Sequence, residues 1–251
     1  MDGEELAACI SRPCILANDE GYNCEWSTEL TVPQAFEEYV KAYLAIKLIA
    51  KLYDLGDPEG FQFNMSVGYD LAGIKTEKID AFIEGMKDAS STIWAECMAE
   101  LNRRFPDMGE YFAAISPRIA TGVTVSTLHG CPPDEIEAIA SYLIREKGLN
   151  TFVKCNPTIL GYDFARERLN KLGYDYIAFD EHHFNEDLQY ADAVPMFRRL
   201  MQLAEDNGVE FGLKLSRGRK GQRTAQRRNV YVRPRALSAY DRDGGAHQPR
   251  I

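Results

Sequence analysis

The sequence has no run of the roughly 18 apolar residues that a membrane-spanning helix requires. Its N-terminus is acidic and lacks the apolar segment of a secretory signal. Six cysteines in 251 residues are too sparse for a disulfide scaffold, and the spacing of Cys9, Cys14 and Cys24 matches neither an iron–sulfur nor a zinc motif. We therefore expect a cytoplasmic protein that has no membrane partner and binds no metal.

Acidic residues are scarce at the C-terminal end of the chain. The net charge is −9, but residues 217–251 contain ten Lys and Arg against Asp241 and Asp243 alone, a balance of +8. The preceding residues therefore carry a net charge of −17. Because an acidic body repels phosphate groups, any binding of nucleic acid would depend on this tail.

Segments with the pattern of buried strands alternate with amphipathic helices from residue 31 to residue 216. Three predicted helices end at Gly148, Gly173 and Gly208, and a strand follows each of them almost at once. Such short connections predict a parallel sheet, because parallel neighbours need a crossover that a helix supplies. The predicted strands are Phe61–Gly68, Gly122–Gly130, Thr151–Pro157, Asp175–His183 and Val209–Ser216; a long helix is predicted to begin at Thr31, and others cover Thr76–Arg104, Pro132–Lys147, Tyr162–Leu172 and Val194–Asn207.

No strand is followed by the G-x-G-x-x-G motif of a dinucleotide-binding sheet. Polar side chains instead collect where the predicted strands end, which is where (β/α)8 barrels build their active sites. With about five of the eight barrel strands in the pattern, we predict an α/β fold that is an incomplete (β/α)8 TIM-type barrel. The strand-end residues are Ser126, Thr127, His129, Lys154, Asn156, Asp180, Glu181, His182, His183, Lys214 and Ser216.

Two lysines lie inside predicted strands. Period two places Phe152, Lys154 and Asn156 on one face of their strand. A lysine in a strand that is covered on both faces is costly unless it meets an anion or a polar ligand, or pairs with a neighbouring carboxylate. Both explanations stay open for Lys154 and for Lys214.

The histidines also allow more than one interpretation. The strand period places alternate members of the Asp-Glu-His-His string at 180–183 on opposite faces, so one metal cannot easily collect all four. An acid–base cluster facing a substrate or a flavin, and ordinary structural hydrogen bonding, both fit the string. His129 lies shortly before a predicted helix start, where backbone N–H groups can hold an anion, but a turn histidine without a ligand fits equally.

Long stretches of the sequence resemble one protein family. They include FQFNMSVGYDLAGIKT, VSTLHGCPPDEIEAIASYLI, FVKCNPTILGYDFARERL and YIAFDEHHFNEDLQYADAVPMF. From Arg12 to Ser216 the chain is similar to the selenate reductase subunit family, which are large flavin and iron–sulfur oxidoreductases similar to dihydropyrimidine dehydrogenase. The resemblance implies an FMN-type barrel related to dihydroorotate dehydrogenase, with FAD, NAD(P)H and 4Fe-4S clusters on further modules.

The resemblance also implies roles for the strand-end residues. In such barrels a strand-borne lysine contacts the flavin, which matches Lys154 in FVKCNP. The turn from Ser126 to Cys131 corresponds to a loop that faces flavin and substrate, with Cys131 as the candidate acid–base residue. We therefore expect Ser126, Thr127, Lys154, Asn156 and Lys214 to bind the cofactor, and His129, Cys131 and His182 to be catalytic.

The tail departs from this family. Codons for KGQRTAQRRN, residues 220–229, can be chosen that encode KGSELPSEEM when they are read one base later, and that string resembles the family's continuation. We interpret the tail as an out-of-frame translation and expect it to be disordered, with no role in binding nucleic acid. The predicted organisation is an irregular lead-in at 1–30, a partial FMN-type barrel at 31–216 and a disordered tail at 217–251.

Three functional hypotheses follow. In the first, the chain is a fragment of a flavin-dependent oxidoreductase that passes electrons between a small-molecule substrate and redox partner modules or subunits. In the second, Lys154 or Lys214 forms a Schiff base in an aldolase-like barrel. In the third, the product is truncated and inactive, because an unclosed barrel leaves unpaired strand edges. We expect the isolated chain to bind FMN weakly or not at all.

Overall fold

The computed structural model of the protein describes residues 30–126, 131–216 and 229–232. The predicted irregular lead-in and most of the predicted disordered tail lie outside these residues. The chain divides after Gly122 into two compact units. Within the described ranges, no helix is both long enough and apolar enough to cross a membrane.

The first unit is built around a long helix, α1 (Val32–Tyr53). The hydroxyl oxygen of Thr31 accepts a hydrogen bond from the Gln34 backbone N–H at 3.4 Å, and the Gln34 side chain accepts one from the Thr31 N–H at 2.9 Å. This reciprocal capping box confirms the predicted start of the helix. The other elements of the unit are β1 (Phe63–Val67), α2 (Leu71–Ile74), α3 (Glu77–Lys87), α4 (Thr92–Arg104), a 3₁₀ turn (Pro106–Met108), α5 (Gly109–Ala114) and the start of β2 (Ala120–Val125).

The core of the first unit lies where α1 meets β1 and α3. The ring of Tyr39 lies edge-on to the Phe63 ring, with centroids 5.5 Å apart, and 5.8 Å from the Phe82 ring. These aromatic pairs contribute to burying one apolar face of α1. The buried apolar residues of α1 are Val32, Ala35, Tyr39, Val40, Tyr43 and Leu44.

The single helix predicted from Thr76 to Arg104 is in fact two helices, α3 and α4. Between them the Asp88 carboxylate accepts a hydrogen bond from the Ser90 N–H at 3.1 Å. The Ala89 N–H donates to the Pro117 carbonyl at 3.0 Å instead of continuing a helix. The prediction was wrong because Asp and Ser side chains bind nearby backbone groups and so favour a turn over a helix interior.

The second unit contains strands and helices, and β3 and β4 pair in parallel as the sequence predicts. β2 crosses into it, β3 lies beside β2, and β4 lies beside β3. Gly148 and Gly208, with φ angles of 62° and 69°, follow the helices that lead into β3 and β4. The elements are α6 (Pro133–Arg145), β3 (Asn150–Cys155), a 3₁₀ turn (Pro157–Leu160), α7 (Tyr162–Lys171), α8 (His182–Glu186), α9 (Tyr190–Asp206) and β4 (Phe211–Ser216).

The two faces of β3 have different surroundings. Val153 and Cys155 are buried, together with Phe211 of β4, against helices α6 and α9. Lys154 lies on the opposite face, in register with Lys214 of the parallel strand β4. The period-two prediction for β3 is therefore confirmed. The helix residues of this buried cluster are Ile136, Ala140, Ile144, Ala193, Met196, Phe197, Leu200 and Ala204.

The strand predicted at Asp175–His183 is not a strand. β3 pairs directly with β4, so no position between them is left for it. The segment is irregular and largely exposed, and its last residues begin α8. The guanidinium of Arg166 donates to the Ile177 carbonyl at 2.7 Å and lies 4.1 Å from the centre of the Phe179 ring. The Phe179 side chain thus contacts α7, and the segment is not part of the sheet.

A short strand, β5 (Asn229–Val232), pairs with β4 in antiparallel orientation. It is regular structure within the tail for which the sequence predicts disorder, so the structure differs from the prediction at these residues. The rest of the tail lies outside the described ranges.

Candidate active site

Three polar residues come together near the carboxyl ends of β2 and β3. The ammonium group of Lys154 donates to the hydroxyl oxygen of Ser126 at 3.5 Å. Lys214 is the register partner of Lys154 on β4, and both lysines are half-buried. In the part of the chain that the structure describes, neither ammonium group forms an ion pair with a carboxylate. An anionic or polar ligand for the two strand lysines therefore stays a prediction.

A small cavity of about 10 Å³ lies beside Lys154. A volume of that size has room for about one water molecule and is far too small for a flavin ring. The cavity joins the half-buried thiol of Cys131, which precedes α6, to residues at the end of β3. Its polar lining consists of Cys131, Lys154, Cys155, Asn156, Thr158 and Asp187.

Asp187 supplies the carboxylate of this cavity. Its Oδ2 atom accepts a hydrogen bond from the side-chain nitrogen of Asn156 at 3.2 Å and a second one from the hydroxyl of Thr158. The residue is only 7% exposed. A buried carboxylate needs such donors, because moving an ion from water into the protein interior costs on the order of several kcal/mol.

The two cysteines of the cavity differ in their chemistry. Cys155 is buried, and burial raises the pKa of its thiol to about 12. It therefore remains a neutral thiol near neutral pH, with its sulfur 3.7 Å from the Val153 carbonyl oxygen. Cys131 is half-buried, and its sulfur lies 3.9 Å from the carbonyl oxygen of Pro132. Of this pair, Cys131 is the more exposed.

His182, a predicted catalytic residue, does not lie at a strand end. It is the first residue of α8, and its Nε2 atom lies 3.0 Å from a carboxylate oxygen of Glu186, one turn along the same helix. Its side chain is 68% exposed. The prediction of its position was wrong because it depended on the strand at Asp175–His183. Among the described residues, no group of three or more His, Cys, Asp or Glu side chains has the arrangement of a metal site.

The other predicted site residues have mixed outcomes. Ser126, Cys131, Lys154 and Asn156 are brought together, and Lys214 is next to Lys154 in the sheet. Thr127 and His129 lie outside the described residues.

Thr158 and Asp187 were missed by the sequence analysis. Asp187 follows the segment for which the sequence predicts a strand, and nothing in the local pattern distinguishes a buried aspartate from an exposed one. Thr158 comes directly after the Asn156-Pro157 pair, which ends β3. Its position beyond a predicted strand end is the one signal that pointed to it.

The donor groups of this site suit FMN. Flavins present carbonyl oxygens, a basic ring nitrogen and a phosphate, which are all acceptors for the ammonium groups of Lys154 and Lys214 and for the hydroxyl of Ser126. Gly212 lies on the same face of β4 as Lys214, and a glycine inside a strand often marks close approach by a ligand. Because the cavity is too small, a flavin would have to contact these side chains from outside it.

Comparisons with known proteins identify the family. The family model for the oxidoreductase YgfK N-terminal TIM-barrel domain matches residues 1–238. The chain is 45% identical over 224 residues to proteins named "Putative oxidoreductase YgfK" from Escherichia coli K12 and from Escherichia coli O157:H7. The match covers 82% of this chain and 22% of each relative, so the chain spans about a fifth of their length.

No solved structure matches the chain. The predicted α/β, TIM-barrel fold class is confirmed by the family match together with the parallel pairing of β3 and β4. The chain belongs to the family of oxidoreductase YgfK N-terminal TIM-barrel domains.

Proposed function

We propose that this chain is the FMN-binding part of a flavin-dependent oxidoreductase. The observation that carries the proposal is the meeting of Lys154 and Ser126, with Lys214 beside them, on one face of the sheet next to the cavity that Cys131 lines. Two half-buried cations on one face need an anion or a polar ligand to offset their desolvation and mutual repulsion.

Each residue has a role in this proposal. Lys154 and Lys214 bind the flavin through their ammonium groups, and Ser126 orients the Lys154 side chain. Asn156 contributes a carboxamide at the end of β3. Cys131 holds a proton at its sulfur and exchanges it with a small-molecule substrate, as a general acid or base. When bound, FMN supplies the acceptance and release of electrons that no side chain of this site provides.

The resemblance of the sequence to the selenate reductase subunit family suggests which partners receive the electrons. We propose that the whole protein passes them between the substrate and redox partner modules or subunits that carry FAD, NAD(P)H and 4Fe-4S clusters. A role as a selenate reductase subunit is part of this proposal for the whole protein and comes from the family resemblance of the sequence.

The proposal is tested by titrating the purified chain with FMN up to millimolar concentrations and following the flavin fluorescence. The sequence allows either weak binding or none, and the contact between Lys154 and Ser126 favours weak binding, so we expect weak but saturable quenching. Lys154→Met should weaken binding by about tenfold or more, because it removes a charged hydrogen-bond donor. The matched control is Lys171→Met, since Lys171 is an exposed lysine of α7 that pairs with Glu167.

Two outcomes would refute the proposal. One is the absence of saturable quenching by the wild-type chain, and the other is equal binding by the wild type and the Lys154→Met variant, with circular dichroism showing that both are folded. A lysine adduct trapped by borohydride with a carbonyl substrate would support the Schiff-base alternative instead.

A further inference from the structure

Asp187 is a buried carboxylate to which the proposed chemistry gives no role. Among the described residues it is the one Asp or Glu that the fold buries. It lies in the connection between α8 and α9, at the wall of the cavity that also contains Cys131 and Lys154. A buried charge that the fold keeps and supplies with hydrogen bonds invites a functional explanation.

The segment that carries Asp187 is fixed by its neighbour Gln189. The side-chain nitrogen of Gln189 donates to the Phe184 carbonyl at 2.7 Å and to the Asp187 carbonyl at 2.6 Å. Both of its N–H groups therefore tie the end of α8 to the start of α9. The carboxylate of Asp187 is held in place by this backbone attachment and by the hydroxyl of Thr158, which donates to Oδ2.

This fixed carboxylate distinguishes the two ends of the Asn156 carboxamide. A carboxylate can only accept hydrogen bonds, so the end of the carboxamide that faces it must be the NH₂ group. In the observed contact the Nδ2 atom of Asn156 donates to the Oδ2 atom of Asp187 at 3.2 Å. A flip of the carboxamide would bring its oxygen against the carboxylate and is therefore disfavoured.

We propose that Asp187 is a positioning residue for Asn156. It holds the NH₂ group of Asn156, so that the carbonyl oxygen of the carboxamide is left to accept a hydrogen bond from an N–H donor of the ligand, such as the imide N–H of a flavin. Asp187 itself does not touch the ligand. This inference rests on the proposed function, because it gives the amide of Asn156 its ligand.

The first test examines the hydrogen bond without any ligand. In a ¹⁵N-resolved NMR spectrum of the chain, one side-chain proton of Asn156 should be shifted downfield and exchange slowly with water. Asp187→Asn removes the charge but keeps the size, so this proton should lose its protection. Asp175→Asn, a change at an exposed aspartate, serves as the control and should leave the signal unchanged.

The second test measures FMN affinity in a double-mutant cycle of Asp187→Asn and Asn156→Ala. We expect Asp187→Asn to weaken FMN binding by about tenfold in the wild-type background, since the carboxamide becomes free to flip. In the Asn156→Ala background the same change should have no further effect. A purely structural Asp187 would lower the melting temperature in both backgrounds without this coupling in affinity.

The outcomes separate the two proposals. Additive effects on affinity, or no effect of Asp187→Asn, would overturn the positioning role even where FMN binds the wild type. An unprotected Asn156 side chain in the wild-type spectrum would also overturn it. A protected side chain in a chain that binds no FMN would refute the proposed function first, and the positioning role for a flavin would fall with it.

Discussion

Lys154 and Lys214 are register partners on the neighbouring parallel strands β3 and β4, so two ammonium groups share one face of the sheet. Like charges on adjacent strand positions repel, and the repulsion is greater where the side chains are half-buried. This repulsion destabilises the sheet at the position where the proposed flavin contacts lie. Stability and ligand binding should therefore respond in opposite directions when one of these charges is removed.

Lys214→Met should raise the free energy of unfolding of the unliganded chain by about 0.2–1 kcal/mol, because it relieves the repulsion from Lys154. The same variant should bind FMN more weakly. Urea denaturation at low and at high salt measures the first effect, which should shrink as salt screens the charges. Lys171→Met is the control and should give no stabilisation, since that lysine pairs with Glu167. A destabilised Lys214→Met variant would contradict the repulsion.

Cys131 and Cys155 should differ in their reaction with iodoacetamide. Burial raises the pKa of the Cys155 thiol to about 12, so its nucleophilic thiolate is almost absent near neutral pH. We expect the folded chain to be alkylated at Cys131 while Cys155 reacts only after denaturation. Mass spectrometry of the labelled peptides measures this order, and alkylation of Cys155 in the folded chain at neutral pH would contradict it.

The ion pair between Glu137 on α6 and Arg199 on α9 should make stability depend on pH. The Nε and Nη2 atoms of Arg199 lie 2.7 and 2.6 Å from the two carboxylate oxygens of Glu137. This contact holds the pKa of Glu137 below its ordinary value of 4.5. A lowered pKa in the folded state stabilises the fold above the unfolded pKa, and this contribution is lost as the pH falls through the folded value.

Glu137→Gln should therefore destabilise the chain near neutral pH and make little difference in strong acid. The pair is partly exposed, with 59% of the Arg199 side chain accessible, so we expect only about 0.2–1 kcal/mol. Thermal unfolding of the wild type and of the Glu137→Gln variant, from neutral pH to strong acid, measures the difference in melting temperature. A gap between the two melting temperatures that persists in strong acid would show that the effect is not due to this ion pair.

Lys47 of α1 is a buried lysine of the first unit, only 2% exposed. Its ammonium group lies 2.6 Å from a carboxylate oxygen of Glu59. It also lies 5.2 Å from the centre of the Tyr43 ring and 5.1 Å from the centre of the Phe61 ring. Lys47→Ala should cost about 2–5 kcal/mol, because it leaves a cavity in the core. Lys47→Met keeps most of the volume and removes a buried charge, so its cost should be much smaller.

Urea denaturation of the two Lys47 variants measures this difference. Lys51→Ala, at an exposed lysine one turn further along α1, is the control and should change stability little. Equal losses in Lys47→Met and Lys47→Ala would indicate that the charge, and not the packed stem, is what the fold uses.

Local sequence signals predicted several features of both units. Gly148, Gly173 and Gly208 have positive φ angles of 62°, 79° and 69°, as expected of residues that follow helices. The alternation of β3 and the start of α1 at Thr31 are likewise properties of short segments, and both predictions are confirmed.

The errors came from contacts between distant segments. The stretch at Asp175–His183 has a strand-like pattern, but which segment lies beside β3 is decided by competition within the fold, and residues 211–215 of β4 occupy that position. The site residue Asp187 was missed for the same reason, since its partners Asn156 and Thr158 are about thirty positions away in sequence, at separations of 31 and 29. Only the break between α3 and α4 had a local signal, the Asp-Ala-Ser-Ser turn that begins at Asp88.

Because the two faces of β3 have different surroundings, insertions and deletions within this strand should be poorly tolerated. A codon inserted or deleted within the strand would exchange the two sets of side chains, bringing the charge of Lys154 into the apolar layer under α6 and α9 and moving Val153 and Cys155 out of it. Point substitutions can be absorbed one side chain at a time, whereas a change of length here would disturb packing and ligand contacts together. Natural length variation in this unit should therefore be confined to the connections between its elements.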